Sequence, residues 1–213
     1  FGTVCEDVMW EPASARMQPS VHLVLGRAEL KVNNKPIQTD GFALGTCFLI
    51  NDQGYFLTNA HVVLDHDGKS RTPLTIGVHL TAPEPHVNFL SAKLVAVDTE
   101  FDLAVLKAEG SGGATAVKFA GPDLLRMGEP VASMGFPLPE IKSVNLTGGY
   151  MDTQVTRRLS VGVVSGEEVS VCLPPARSEQ PMYELNLFSY PGNSGGPSFN
   201  RHGLVVGVNR GTR

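Results

Sequence analysis

The chain has 213 residues, a net charge of −4 and 42% apolar residues, with 23 glycines and 15 prolines. That length suits one domain or a pair of small ones, and the excess of Gly and Pro over average usage points to many turns between short segments. The acidic balance disfavours nonspecific nucleic-acid binding, and no run reaches the roughly 18 uninterrupted apolar residues of a membrane span.

Residues 1–20 show no clear period, contain Pro12 and Pro19, and are read as an irregular leader packed on the surface. The chain opens on FGTV without Met, as a processed or trimmed chain would. From Val21 the pattern changes. VHLVLGRAELKV, GTCFLIND, YFLTNAHVV, LTIGVHL, LSAKLVAVD and DLAVLKAE are short β-prone runs, separated by the turn signals NNKP, NDQG, DHDGKS and APEP. They predict a first all-β unit over residues 21–108. Residues 109–130, richer in Gly and Ala, read as a linker in which FAGPDLLRMGE forms a short turn or helical piece. PVASMGF, LSVGVVSGEEVSVCL, PMYELNLF and GLVVGVNR then predict a second unit over residues 131–213. The longer of these runs could each supply more than one strand. FPLPEIKSVNLTGGYMDT, residues 136–153, reads as an extended surface loop and carries the sequon Asn145-Leu146-Thr147. Two sets of short strands around a linker predict an all-β fold of two packed antiparallel β-barrels.

Cys5, Cys47 and Cys172 are too few for a disulfide framework and fit no zinc spacing. They read as buried or idle thiols, with one long-range disulfide left open. DHDGKS lacks the further acidic positions of a calcium loop. No metal and no cofactor are expected.

The segment YPGNSGGPSFN packs three glycines, two prolines and two serines around Ser194. Such a turn can present a hydroxyl and aim amide groups at a ligand. A serine hydroxyl is a weak nucleophile that needs a base, and the base needs an orienting group. His61, near the end of YFLTNAHVV, and Asp102, opening DLAVLKAE, supply both in the order His, Asp, Ser. The separations of 41 and 92 residues leave the meeting to tertiary structure. Asp98 is a rival without the following LAVLK, and Asp65 and Asp67 lie too near His61 in sequence to sit behind its ring.

LTNAHVV, FDLAVLK and GNSGGP together resemble the chymotrypsin-like serine peptidases, over most of the chain from about Val21 to Arg210. GEPVASMGFP, LSVGVVSGEE and GLVVGVNR look most like the HtrA (Deg) type. The resemblance implies two six-stranded barrels with the active site between them. It implies that His61 Nε2 takes the Ser194 proton while Asp102 fixes the His61 tautomer, and that the N–H groups of Gly192 and Ser194 form an oxyanion hole. The expected function is a serine endopeptidase acting on polypeptides through an acyl-enzyme. The alternative is a latent protease fold acting as a peptide-binding or chaperone-like module. An esterase of the α/β type is disfavoured, because GNSGG matches its elbow formally but the partner order is reversed.

The chain departs from the family pattern in several places. Asn193, not Asp, precedes Ser194, so no carboxylate there can pair with a new N-terminal ammonium. An enzyme already competent, or controlled by loop order, is expected in place of one activated by N-terminal cleavage. Val62 follows His61 where many digestive relatives have a cysteine. The sequence ends at Arg213, before the further strand and the PDZ module that relatives carry. Phe188 and Ser189 stand where a pocket base is expected, with no acidic residue, so a preference for Arg or Lys is not expected and small or medium apolar side chains are. Phe188, Val208, Asn209 and Arg210 are expected to contact substrate, the last three on a strand edge that pairs with its backbone. Oligomeric state is left open, a homo-oligomer included. A secreted or envelope (periplasmic) location is expected.

Overall fold

The computed structural model describes residues 10–32, 35–79, 87–110, 114–121, 125–137, 146–147, 150–151, 157–171 and 179–211. Residues 11–20, read from sequence as irregular, form helix α1 (Glu11–Met17) and a 3-10 turn (Gln18–Ser20). Pro12 fits the first turn, where no intrahelical donor is needed. Ala13 and Met17, four apart, point to one side and are buried. Trp10 packs edge-on to Phe199, and Arg16 Nη1 donates to the His202 carbonyl at 3.1 Å.

The first unit contains β1 (Val21–Val32), β2 (Lys35–Asn51), β3 (Tyr55–Asn59), the one-turn helix α2 (Ala60–Val63), β4 (Leu74–His79), β5 (Val87–Asp98) and β6 (Leu103–Ala108). Its six strands close into an antiparallel barrel in the order β1-β2-β3-β6-β5-β4, as the sequence pattern leads one to expect. In β6 the alternation is strict: Ala104, Leu106 and Ala108 are buried, while Leu103, Val105 and Lys107 are half-buried. A side-chain period of two therefore fixes which face meets the core.

β7 (Lys118–Phe119) lies inside the predicted linker and pairs in parallel with a strand of the second unit. That unit continues with β8 (Pro130–Gly135), a small hairpin of β9 (Leu146–Thr147) and β10 (Tyr150–Met151), β11 (Arg158–Val171), β12 (Gln180–Asn186), β13 (Pro197–Phe199) and β14 (Leu204–Val208). Among the described residues its main sheet has six strands in the order β12-β11-β8-β13-β14-β7. The run LSVGVVSGEEVSV is a single strand with register shifts against β12, not two strands. Cys5, Cys172, Asn145 of the sequon and most of the 136–153 loop lie outside the described residues, as does part of the predicted FAGPDLLRMGE piece.

Two apolar clusters hold the molecule. One fills the barrel and includes Leu49, Phe56, Ile76 and Leu106. Cys47 belongs to it, and burial raises its thiol pKa far out of the reactive range. The other joins the barrel to the second sheet through Leu23, Leu25, Phe48, Met134, Phe136 and Phe199. Each such side chain contributes roughly 1.5–3 kcal/mol when fully buried. This second cluster sets the two units against each other, and the catalytic candidates lie along the same junction.

Candidate active site

The barrel's own register brings His61 to Asp102. β3 pairs antiparallel with β6 so that Asn59 faces Leu103. The next residues in opposite directions, Ala60 and Asp102, extend that ladder, and Ala60 N–H donates to the Asp102 carbonyl at 3.0 Å. Asn59 Nδ2 donates to the same carbonyl at 2.9 Å. α2 then turns His61 over the Asp102 side chain. His61, read from sequence as near a strand end, lies in this single helical turn.

Asp102 is fully buried and has φ +55°. That left-handed conformation is uncommon outside glycine, and Asp is among the residues that tolerate it best. It carries the carboxylate inward, where Oδ1 accepts from the His61 main-chain N–H at 2.9 Å and Oδ2 lies 2.7 Å from His61 Nδ1. One residue is thus gripped at two points. With Nδ1 holding the proton toward Asp102, Nε2 is left as the basic nitrogen. The His61 side chain is 36% exposed, so the ring remains open to solvent while Asp102 does not.

The Ser194 loop is built by two consecutive turns. Asn193 N–H donates to the Tyr190 carbonyl at 3.0 Å, and Gly196 N–H to the Asn193 carbonyl at 3.0 Å. Gly192 and Gly195 have φ +102° and +83°. At Gly195 an added Cβ would press on the Thr46 carbonyl, Thr58 Oγ1 and Asn59 N. Gly195→Ala should therefore cost about 3 kcal/mol from overpacking and backbone strain together, lowering the thermal midpoint and the activity in parallel. Thermal unfolding of the variant checks this.

Thr46, buried on β2, fastens the loop to the barrel. Its N–H donates to the Ser194 carbonyl at 2.9 Å, and its Oγ1 donates to the Gly192 carbonyl at 2.7 Å while accepting from Phe136 N–H at 3.0 Å. Its own carbonyl accepts from Thr58 Oγ1 at 2.7 Å, just before Asn59 and His61 on the chain. Sequence reading passes over Thr46. The available signal is a lone hydroxyl in the apolar run TCFLI. The Ser194 main chain is thereby set beside α2, with Val62 packed on Gly45 close to the Ser194 carbonyl. Among the hydrogen bonds of the described residues none joins Ser194 Oγ to His61 Nε2, and in sites without substrate this contact is often long.

The expected substrate contacts divide. Phe188 is 78% exposed beside the loop. Val208 ends β14, where it faces Pro197. Asn209 is turned inward: its N–H donates to Gly196 and its carbonyl accepts from Gly195, while its side chain joins Ser198 and Ser133. Its main chain is therefore committed to the loop and is not available to a substrate strand. Arg210 also points in, with Nε 3.3 Å from Asp102 Oδ2. Of the rival acids, Asp98 caps the turn before Asp102 by accepting from the N–H groups of Glu100 and Phe101. Asp65 accepts from the Asp67 and Lys69 N–H groups, and the Lys69 bond leads in lowering its pKa. Both carboxylates serve local turns and leave His61 to Asp102.

The description "Trypsin-like peptidase domain" matches residues 45–208. A probable periplasmic serine endoprotease DegP-like from Ectopseudomonas mendocina (strain ymp) is 37% identical over 172 residues, which is 81% of this chain and 30% of that protein. The serine protease Do-like HtrB of Bacillus subtilis (strain 168) is 32% identical over 159 residues, 75% of this chain and 30% of its own length. The chain spans about three tenths of the length of these curated relatives. Among solved structures, the HtrA-type protease AlgW with a tripeptide superposes with a TM-score of 0.69 at 20% identity, covering 94% of this chain and 53% of that one. The active form of the Rv3671c protease from M. tuberculosis gives 0.69 at 22%, covering 95% and 74%. The barrel and second sheet are thus a chymotrypsin-like fold, and the chain belongs to the trypsin-like peptidase domain family, with DegP-like and Do-like serine proteases among its relatives.

Proposed function

We propose that this chain is the protease unit of a serine endopeptidase, with His61, Asp102 and Ser194 as its catalytic residues. The observation that carries the reading is the two-point grip of Asp102 on His61, with the Ser194 loop tied by Thr46 to the same strands. His61 Nε2 takes the Ser194 hydroxyl proton as Oγ attacks the scissile carbonyl. The imidazolium that forms is stabilised by Asp102, and it then protonates the leaving amine. Water repeats the sequence on the acyl-enzyme. Gly192 and Ser194 N–H groups receive the developing oxyanion; their neighbours Asn193, Gly195 and Gly196 donate to main-chain carbonyls, whereas these two do not among the described residues.

Phe188 and the main chain of Val208 and Arg210 flank this centre and would meet the substrate, with small or medium apolar side chains preferred at the cleaved bond. The reading keeps residues 21–108 and 131–213 as the two units, joined by 109–130. Among the described residues no helix is long and apolar enough to cross a membrane. The DegP-like relatives are named periplasmic, which supports an envelope location here. Casein incubated with the chain should be cleaved to discrete fragments, and Ser194→Ala should leave it intact. Binding of casein without cleavage by the parent would instead support the peptide-binding reading.

A further inference from the structure

Arg210 lies two residues beyond the end of β14, and its side chain is buried. It is 8% exposed. Its Nε is 3.3 Å from Asp102 Oδ2, and its Nη1 is 3.8 Å from Met182 Sδ on β12. A guanidinium of the second unit thus reaches the buried carboxylate of the first barrel. Asp102 Oδ2 serves two donors, His61 Nδ1–H and Arg210 Nε–H.

We propose that Arg210 is a positioning residue that shares the Asp102 carboxylate with His61 and keeps it turned toward the His61 ring. This rests on the reading of His61 as the general base. A guanidinium stays charged throughout the working range and donates in a fixed plane. Together with the His61 main-chain N–H and Nδ1–H, it gives the carboxylate three directional donors, and these hold it against rotation.

Other titratable groups on the elements around α2 are His22 and Arg27 on β1, Cys47 on β2, Tyr55 on β3, Lys93 and Asp98 on β5, and Lys107 on β6. Arg71 follows α2 and donates through Nε to the Leu64 carbonyl. Among the described residues the charged group bonded to the imidazole is Asp102, and Arg210 acts through it.

The test reads the proton between His61 and Asp102, without turnover. In a Ser194→Ala background the His61 Nδ1–H, assigned by its loss in His61→Ala, should give a low-field resonance that exchanges slowly with water, as a bond held to a buried carboxylate does. Arg210→Gln should broaden this resonance into the solvent line, and Arg210→Lys should restore it in part. An unchanged resonance in a folded Arg210→Gln would overturn the proposal, whatever happens to thermal stability. If Arg210→Gln does not fold, the parent still decides: its Arg210 Nε–H should exchange slowly, and fast exchange would overturn the proposal. Failure here would leave casein cleavage by the parent untouched. Failure of the triad reading would instead appear as a parent that folds and shows both resonances but does not cleave.

Discussion

Ser194→Ala should abolish peptide hydrolysis, by at least about 10⁴-fold in kcat/KM, while leaving the fold as stable as the parent. The size follows from the role of a nucleophile whose base and oxyanion donors act with it as a unit. The unchanged stability follows from what Ser194 does structurally. Its carbonyl holds Thr46 N–H at 2.9 Å, and that group survives the substitution. Its side-chain oxygen takes no part in the hydrogen bonds that tie the loop to the barrel. Removal of a half-buried hydroxyl without a structural partner should change stability by no more than about 0.5 kcal/mol. Matched thermal unfolding and casein assays on both proteins check the two halves separately.

Asp102→Asn should fail on both counts. The loss in kcat/KM should be about 10⁴-fold, because an amide can present its NH₂ to His61 Nδ1 and so favour the wrong tautomer. Stability should fall as well, by about 3–5 kcal/mol, since the variant takes the carboxylate from buried Arg210 as well as from His61. Asn is the least disruptive choice for the backbone, because it tolerates the +55° φ of this position. Asp102→Ala should cost about 1 kcal/mol more for the same reason. Bonds from Ala60 N–H and Asn59 Nδ2 go to the Asp102 main chain and should persist in both variants. Urea unfolding with activity measured at the same protein concentration separates the catalytic loss from the structural one.

Much of this site is written in local pattern. The alternation of LAVLKA sets the phase of β6, and the antiparallel partner YFLTN sets β3. Once these two strands pair, His61 and Asp102 meet without further assumption. The glycines of GNSGGP are legible for a similar reason, because left-handed turns and close approach to Thr46 and Asn59 require them. Helix α1 is less visible. Its seven residues bury only Ala13 and Met17, too short a stretch for a period of 3.6 to stand out. The four-residue α2 and the two-residue β7 are shorter still.

Tertiary contacts account for the rest. Arg210 reads as a strand-edge residue facing substrate, because arginine is rarely buried. Its inward turn depends on a carboxylate 108 residues away that only the junction of the two units supplies. Asn209 is similar: its commitment to Gly195, Gly196, Ser198 and Ser133 appears only when β13 and β14 stand side by side. Thr46 looks like one more β-branched strand residue until the Ser194 loop lands on it.

Ser194, His61 and the loop amides should act as one reactive centre. The most direct measurement is labelling by a fluorophosphonate probe, read by intact mass, on the parent and on Ser194→Ala. One adduct per parent chain is expected at Ser194 and none on the variant. A folded parent that takes no label, or a Ser194→Ala variant labelled as fast as the parent, would contradict this.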